Sequence, residues 1–462
     1  MLYALLRSVA GIALRWFYRR IDVVGLERLP RKAPLLLVCN HPNALVDAML
    51  VAWAIPRRVV LTAKATLFRH RALATLLNWV GVVPLVRKSD VEQGVIQGSR
   101  DPQRNARAFG ALRAVLRRGG AVVIFPEGIS HDHPSLAPLK TGAARIALEA
   151  RDEAHVDHLH IVPIGLTFER KEAPRTRVLV QIGEAIALDE WRADGDAAAS
   201  RLTDEIDARL RRVTLNYETV DDASRARALS SLFAALWREG LEPVGHPRSM
   251  RVDVSVAERI EEARLALSRS GDDSLRGRAD ALLRSVAELE EVLRRHGVAL
   301  EDVSVSSDRR HAVPFVLREL WIIALGGPIA LWGIINHWIP FNAARMIARR
   351  SIESAADPAM RTIVAGAALV LAFYTAQGVA VAAVAGWVPA LVYIVSLPLA
   401  ADVNFLLRDR RRRALQRART YLLFRRRPKL HARLQVDLQR VRTEALEIEA
   451  RLNETTASAP IA

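Results

Sequence analysis

The sequence predicts an α/β domain on a mixed, largely parallel sheet flanked by helices, followed by a helical region and a C-terminal transmembrane hairpin. Three observations lead there. Short apolar runs alternate with helically spaced stretches in the first part of the chain, the pattern of strands and helices wound into one sheet. The middle, from Trp191 to Asp302, is rich in Ala, Arg and Glu and carries helical periodicity. The stretch 362–405 is almost free of charge and about twice the roughly 20 residues that one spanning helix needs.

Taken in order, Met1 to Arg20 mixes apolar residues with Arg7 and Arg15 and lacks a small-residue cleavage site. It reads as an amphipathic interfacial helix with Trp16, Phe17 and Tyr18 at headgroup depth, the alternative being a helix packed on the protein surface. Strands are expected at Pro34-Leu35-Leu36-Leu37-Val38, Val59-Val60-Leu61, Val82-Val83-Pro84-Leu85-Val86, Ala121-Val122-Val123-Ile124-Phe125 and His160-Ile161-Val162-Pro163-Ile164. Helices are expected between them at 44–54, 67–79, 106–118 and 142–151, the third ending at Gly119-Gly120. In such sheets ligands bind beyond the strand C-termini. Asn40-His41, Arg87-Lys88 and Glu127-Gly128 all fall there.

Two charged helical stretches, 203–240 and 256–297, read as a hairpin packing on the first domain. The apolar stretch 320–341 contains Gly326-Gly327-Pro328 and is read either as a span or as a broken, re-entrant or interfacial segment, with the second preferred. The expected divisions are an N-terminal helix at 1–20, the α/β domain at 21–190, the helical region at 191–311, the apolar segment at 312–345, the hairpin at 362–405 and a basic tail at 406–453.

The formal net charge is +17, and much of the excess borders the apolar runs, at Arg345, Arg349, Arg350, Arg361, Arg408 and Arg410 to Arg413. Basic flanks at both ends of 362–405 favour a hairpin with both ends cytoplasmic. No zinc-knuckle, RNP-like or helix-turn-helix signature accompanies the charge, so an anionic phospholipid membrane is the expected partner and nucleic acid is not. The single cysteine, Cys39, excludes an internal disulfide, and its place at the end of a buried strand favours core packing over nucleophilic use.

Chemistry gathers in two blocks. In Asn40-His41-Pro42-Asn43-Ala44-Leu45-Val46-Asp47, a post-strand imidazole precedes a carboxylate near a helix start. A carboxylate bonded to one ring nitrogen leaves the other as a base able to deprotonate an alcohol. The second block is Phe125-Pro126-Glu127-Gly128-Ile129-Ser130-His131-Asp132, followed by Pro138-Leu139-Lys140-Thr141-Gly142. Lys64, Arg87, Lys88 and Lys140 are candidate phosphate partners, each balanced against an ordinary solvated charge, and Glu127 against a cap to the following turn.

Together the blocks resemble the glycerolipid acyltransferase superfamily. Asn40-His41…Asp47, Gly81…Pro84…Arg87, Pro126-Glu127-Gly128 and Ile161-Val162-Pro163-Ile164 stand in the family's order, and the resemblance covers about 23–183. It implies a glycerolipid acyltransferase-like fold and direct transfer from an acyl thioester on CoA or carrier protein to a glycerol phosphate acceptor, with no cofactor and no metal. By the same resemblance His41 is the general base and Asp47 orients it, while Arg87, Glu127 and Gly128 bind the glycerol phosphate. Two departures stand out. Five residues separate His41 from Asp47 where four are commonest, and Ser130 replaces the Arg that often follows Pro-Glu-Gly. Both look like the branch containing fungal glycerol-3-phosphate and dihydroxyacetone-phosphate acyltransferases. The acceptor phosphate then falls to Arg87, Lys64 or Lys140, with Ser130 added to the substrate-binding set.

Other readings are weaker. There is no Gly-x-Ser-x-Gly elbow for a serine hydrolase. His131-Asp132-His133 lacks a second ligand cluster for a metal and reads better as a hydrogen-bonding loop. Lysophosphatidate acylation is the rival within enzymes. An inactive scaffold would be expected to have lost His41, Asp47 or Glu127, and all three are present.

Overall fold

The computed structural model describes residues 2–69, 71–86, 102–191, 197–236, 249–270, 272–303, 309–350 and 358–457. They divide into two compact units. One comprises Met1–Val220, Ser249–Arg251 and Arg345–Ala367, the other Asp221–Arg248, Val252–Ala344 and Ala368–Ala462.

The first unit is the α/β domain. Its elements are α1 (Leu2–Phe17), β1 (Arg20–Val24), β2 (Leu35–Cys39), α2 (Ala44–Ala54), β3 (Val59–Lys64), α3 (Arg71–Val80), β4 (Val83–Leu85), α4 (Pro102–Arg117), β5 (Ala121–Ile124), α5 (Gly142–Asp152), β6 (His160–Phe168), β7 (Arg177–Ile182), β8 (Ile186–Ala187) and α6 (Ala198–Arg211). The sheet runs β1-β7-β6-β2-β5-β3-β4, with β8 on β6. From β6 through β4 every neighbouring pair is parallel, whereas β7 and β8 run antiparallel to β6 and β1 runs with β7. The sheet is mixed and largely parallel, as the alternating pattern predicts. The central strands are continuous apolar runs because both faces are covered. Leu36, Val38 and Val122 face a core with α4 and α5, while Leu35, Leu37 and Val123 face one with α2.

One expectation is corrected here. Phe17 and Tyr18 are buried in a core with Leu14, Val46, Leu50 and Val178, so α1 packs on α2 and the sheet and does not hold those rings at headgroup depth. Burying Tyr18 is feasible because its hydroxyl donates to the Lys171 carbonyl at 3.2 Å.

The second unit holds α7 (Val220–Leu236), α8 (Met250–Ser270), α9 (Asp273–His296), α10 (Arg309–Arg350), α11 (Pro358–Ala385), α12 (Trp387–Arg426) and α13 (Pro428–Ala457), a few end residues of α7, α8, α10 and α11 belonging to the first. Asp272 starts α9 by accepting the Leu275 N–H at 3.0 Å, and Gly297, at φ +63°, ends it in the left-handed region. Leu282, Val286, Leu289 and Leu293 of α9 share a core with Leu434, Val441, Ile448 and Leu452 of α13. The apolar stripe of α13 is thus the partner of the helical region. Helices α10, α11 and α12 are long and apolar enough to cross a membrane. Gly386, at φ +91°, separates α11 from α12. The break expected at Gly326-Gly327-Pro328 is absent: α10 continues through it as one helix containing Pro314, Pro328 and Pro340.

Candidate active site

Because β2 and β5 are parallel neighbours in register, with Val38 opposite Ile124, the residues that follow them emerge side by side. His41 comes from the first loop and Glu127 from the second. His41 Nδ1 lies 2.9 Å from Asp47 Oδ2, which reaches back from the first turn of α2. A buried carboxylate can only accept, so Nδ1 carries the proton and the Nε2 lone pair is the basic one. The ring stacks on Phe125 at 4.0 Å, which fixes its plane. Asp47 is fully buried and also accepts the Asn43 N–H at 2.7 Å, so the carboxylate organises the loop and the ring together.

Glu127 is 2% exposed. Its Oε1 accepts the His41 N–H at 2.7 Å and its Oε2 accepts the Ala137 N–H at 2.8 Å and a bond from His131 Nε2. His131 Nδ1 accepts the His133 N–H at 3.1 Å, so the tautomer that completes the chain has its proton on Nε2. Both oxygens are therefore committed to protein groups. Glu127 thereby ties the His41 loop to the 131–137 loop.

Ser130 Oγ accepts the Ala44 N–H at 3.1 Å, and Ala44 stands at φ +40°, outside the usual regions for a residue with a Cβ. One contact thus links both departures from the family pattern. The five residues between His41 and Asp47 include the positive-φ turn at Ala44, and Ser130, standing where arginine is common, bonds that turn. Gly128, at φ +72°, leaves room for the Lys140 side chain, whose Nζ would be 3.1 Å from a Cβ placed there. Lys64 ends β3, and Arg87 and Lys88 lie outside the described residues.

Several groups here are not apparent from sequence. Lys171 bonds the Pro42 carbonyl at 2.5 Å and pairs with Asp132. Asn43, fully buried, donates to the Tyr18 hydroxyl at 3.1 Å and the Lys171 carbonyl at 3.3 Å. Asn40 is bidentate to the Leu166 backbone, accepting at 2.7 Å and donating at 3.0 Å. Asn40 and Asn43 stand inside the quoted motif, whereas nothing local marks Lys171. Burial, reinforced by the charge of Asp47, pushes the Cys39 thiol well up, consistent with core packing and not nucleophilic use. Among the described residues no three His, Cys, Asp or Glu side chains are grouped to hold a metal.

Residues 20–167 match the Acyltransferase family model. This stretch is an acyltransferase domain. An uncharacterized acyltransferase of Schizosaccharomyces pombe is 21% identical over 257 residues, 39% of this chain and 38% of that protein. Glycerol-3-phosphate O-acyltransferase 2 of Saccharomyces cerevisiae is 39% identical over 85 residues, 18% of this chain and 11% of that one. A 1-acyl-sn-glycerol-3-phosphate acyltransferase of Cocos nucifera is 28% identical over 191 residues, 40% of this chain and 55% of that protein. The match spans less than two thirds of each of these relatives. The crystal structure of the 1-acyl-sn-glycerophosphate acyltransferase of Thermotoga maritima has 18% identity and a TM-score of 0.33, covering 45% of this chain and 78% of that one. The matched stretch contains His41, Asp47 and Glu127 and ends within β6.

Proposed function

We propose that the chain is a membrane-bound O-acyltransferase that moves a fatty acyl group from acyl-CoA or acyl carrier protein to glycerol 3-phosphate or dihydroxyacetone phosphate, a step of phospholipid biosynthesis. The observation that carries this reading is the His41–Asp47 pair, 2.9 Å apart at the C-terminal edge of the parallel strands. His41 Nε2 takes the proton as the acceptor oxygen attacks the thioester carbonyl. Asp47 stabilises the imidazolium. The tetrahedral intermediate collapses, the C–S bond breaks, and the departing thiolate takes the proton back from His41. No acyl-enzyme and no cofactor enters. Lys140, Lys64 and Arg87 are the cations assigned to the acceptor phosphate, with backbone N–H groups near Gly128 for the oxyanion.

The catalytic domain is assigned to the cytoplasmic face, where acyl thioesters are made. Arg408 and Arg410 to Arg413, just beyond the apolar part of α12, suit anionic phospholipid headgroups; nucleic acid is not a partner in this reading. Lysophosphatidate is the second acceptor considered, supported by relatives named as 1-acyl-sn-glycerol-3-phosphate acyltransferases. Purified protein supplied with labelled acyl-CoA and each of the three acceptors separates the readings. Glycerol 3-phosphate or dihydroxyacetone phosphate is expected to be acylated, and transfer only to lysophosphatidate selects the alternative. Failure with all three, with acyl carrier protein also tried as donor, supports a scaffold. His41→Ala is expected to lower turnover by about 10²–10⁴-fold; unchanged turnover in folded mutant protein removes the assignment.

A further inference from the structure

The contacts of α10 decide how the three apolar helices lie in the bilayer. Glu319 of α10 pairs with Arg410 of α12 at 2.6 and 2.9 Å. Further along, a methyl at Gly326 would fall 2.9 Å from the Leu407 side chain, and one at Gly333 would strike the Ala400 carbonyl. Trp332 Nε1 then donates to Ser396 Oγ at 3.1 Å, and the Tyr393 hydroxyl to Asn336 Oδ1 at 2.6 Å. Numbers rise on α10 as they fall on α12, so the two run antiparallel over about 25 Å, at 1.5 Å per residue. Helices α11 and α12 form a hairpin about Gly386, Gly378 lying against Ile394. This part of α10 therefore enters the bilayer from the same side as α11.

That arrangement is incompatible with a simple crossing. Were α10 to cross, the seven residues 351–357 before α11 would have to carry the chain back across the bilayer. The eight Cα–Cα steps from Arg350 to Pro358 reach at most about 29 Å fully extended, which leaves nothing beyond the roughly 30 Å hydrocarbon core for the headgroup regions on either side. The contacts also turn back. Phe341, five residues beyond Asn336, stacks on Phe405 at 5.7 Å, and Phe405 lies back along α12 toward Arg410. Pro340 sits at the reversal and deprives the Asn336 carbonyl of its helical donor. Polar side chains gather at this depth: His337 bonds the Gly333 carbonyl at 2.8 Å and the Tyr374 hydroxyl at 2.6 Å, and Gln377 reaches Asn336 at 3.3 Å. A bent helix at membrane depth needs such cover.

We infer that α10 is a re-entrant membrane helix, dipping into the bilayer to about Asn336–His337, bending at Pro340 and returning, so that only α11 and α12 cross. The inference rests on the membrane reading and not on acyl transfer. Its test is independent of turnover. Four variants, Ser274→Cys, Ser354→Cys, Ala385→Cys and Ala432→Cys, are exposed to an impermeant maleimide in sealed, uniformly oriented membrane vesicles, before and after permeabilisation. Buried Cys39 in the parent protein sets the background. The variants at 274, 354 and 432 are expected to label from one face and the variant at 385 only from the other. If 354 and 432 label opposite to 274, with 385 on the face of 274, α10 crosses and the inference fails. Labelling of all four from one face overturns it as well.

Discussion

The imidazole of His41 has one nitrogen committed to Asp47, and the other is the nitrogen that the proposed transfer uses as its base. Asp47→Asn keeps the shape but allows the amide to donate, which stabilises the wrong tautomer; turnover is expected to fall about 10²-fold or more, read by steady-state assay on protein of unchanged secondary structure. Glu127 is different in kind. Glu127→Ala leaves the His41 and Ala137 N–H groups buried without their acceptor, at about 1–3 kcal/mol each, so both thermal stability and turnover should drop. The strain at Ala44 gives a third expectation. Ala44→Gly should raise stability by about 1 kcal/mol in a detergent melt, while Ser130→Ala should lower it. The His–Asp pair is legible in sequence because its members are six positions apart. Glu127 is legible as a member of the site but not as the residue that holds the His41 loop. Its partner is 86 residues away, and only the strand order brings them together.

Among the elements, β6 carries the closest approach in the α/β domain. A methyl at Gly165 would collide with the Val213 carbonyl, so Gly165→Ala should cost about 1–3 kcal/mol, measured by chemical denaturation. Where β6 leads to β7, burial raises the Glu169 carboxyl, but the hydrogen bonds and charge of Arg177 outweigh it and hold the group below its ordinary value. A depressed carboxylate contributes stability that is present above its unfolded value and lost as pH falls through the folded one. Glu169→Gln should therefore destabilise by about 0.5–1 kcal/mol at neutral pH, discounted for partial exposure, with the difference vanishing in acid. The helices with strong stripes were legible as helices, yet their partners were not. Periodicity reports that a face is buried without saying against what, which is why α1 reads as an interfacial helix and proves to pack on protein.

At the scale of the whole molecule, the apolar stretches read from composition correspond to three long helices, and the protein should stay with membranes through an alkaline carbonate wash and leave only with detergent. The path of α10 was harder to read. Gly326-Gly327-Pro328 is the obvious breaking point, but both glycines tolerate helix and Pro328 does not end it; the bend at Pro340 emerges only from its partners. The register of β2 and β5 has a consequence of its own. His41 and Glu127 are held by the loops after two adjacent strands, which β3 and α4 flank and cover, so a change of chain length that leaves those two elements in place would move neither residue. Insertions between those two elements would be expected to change what reaches the strand ends while leaving the His41–Glu127 contact where it stands.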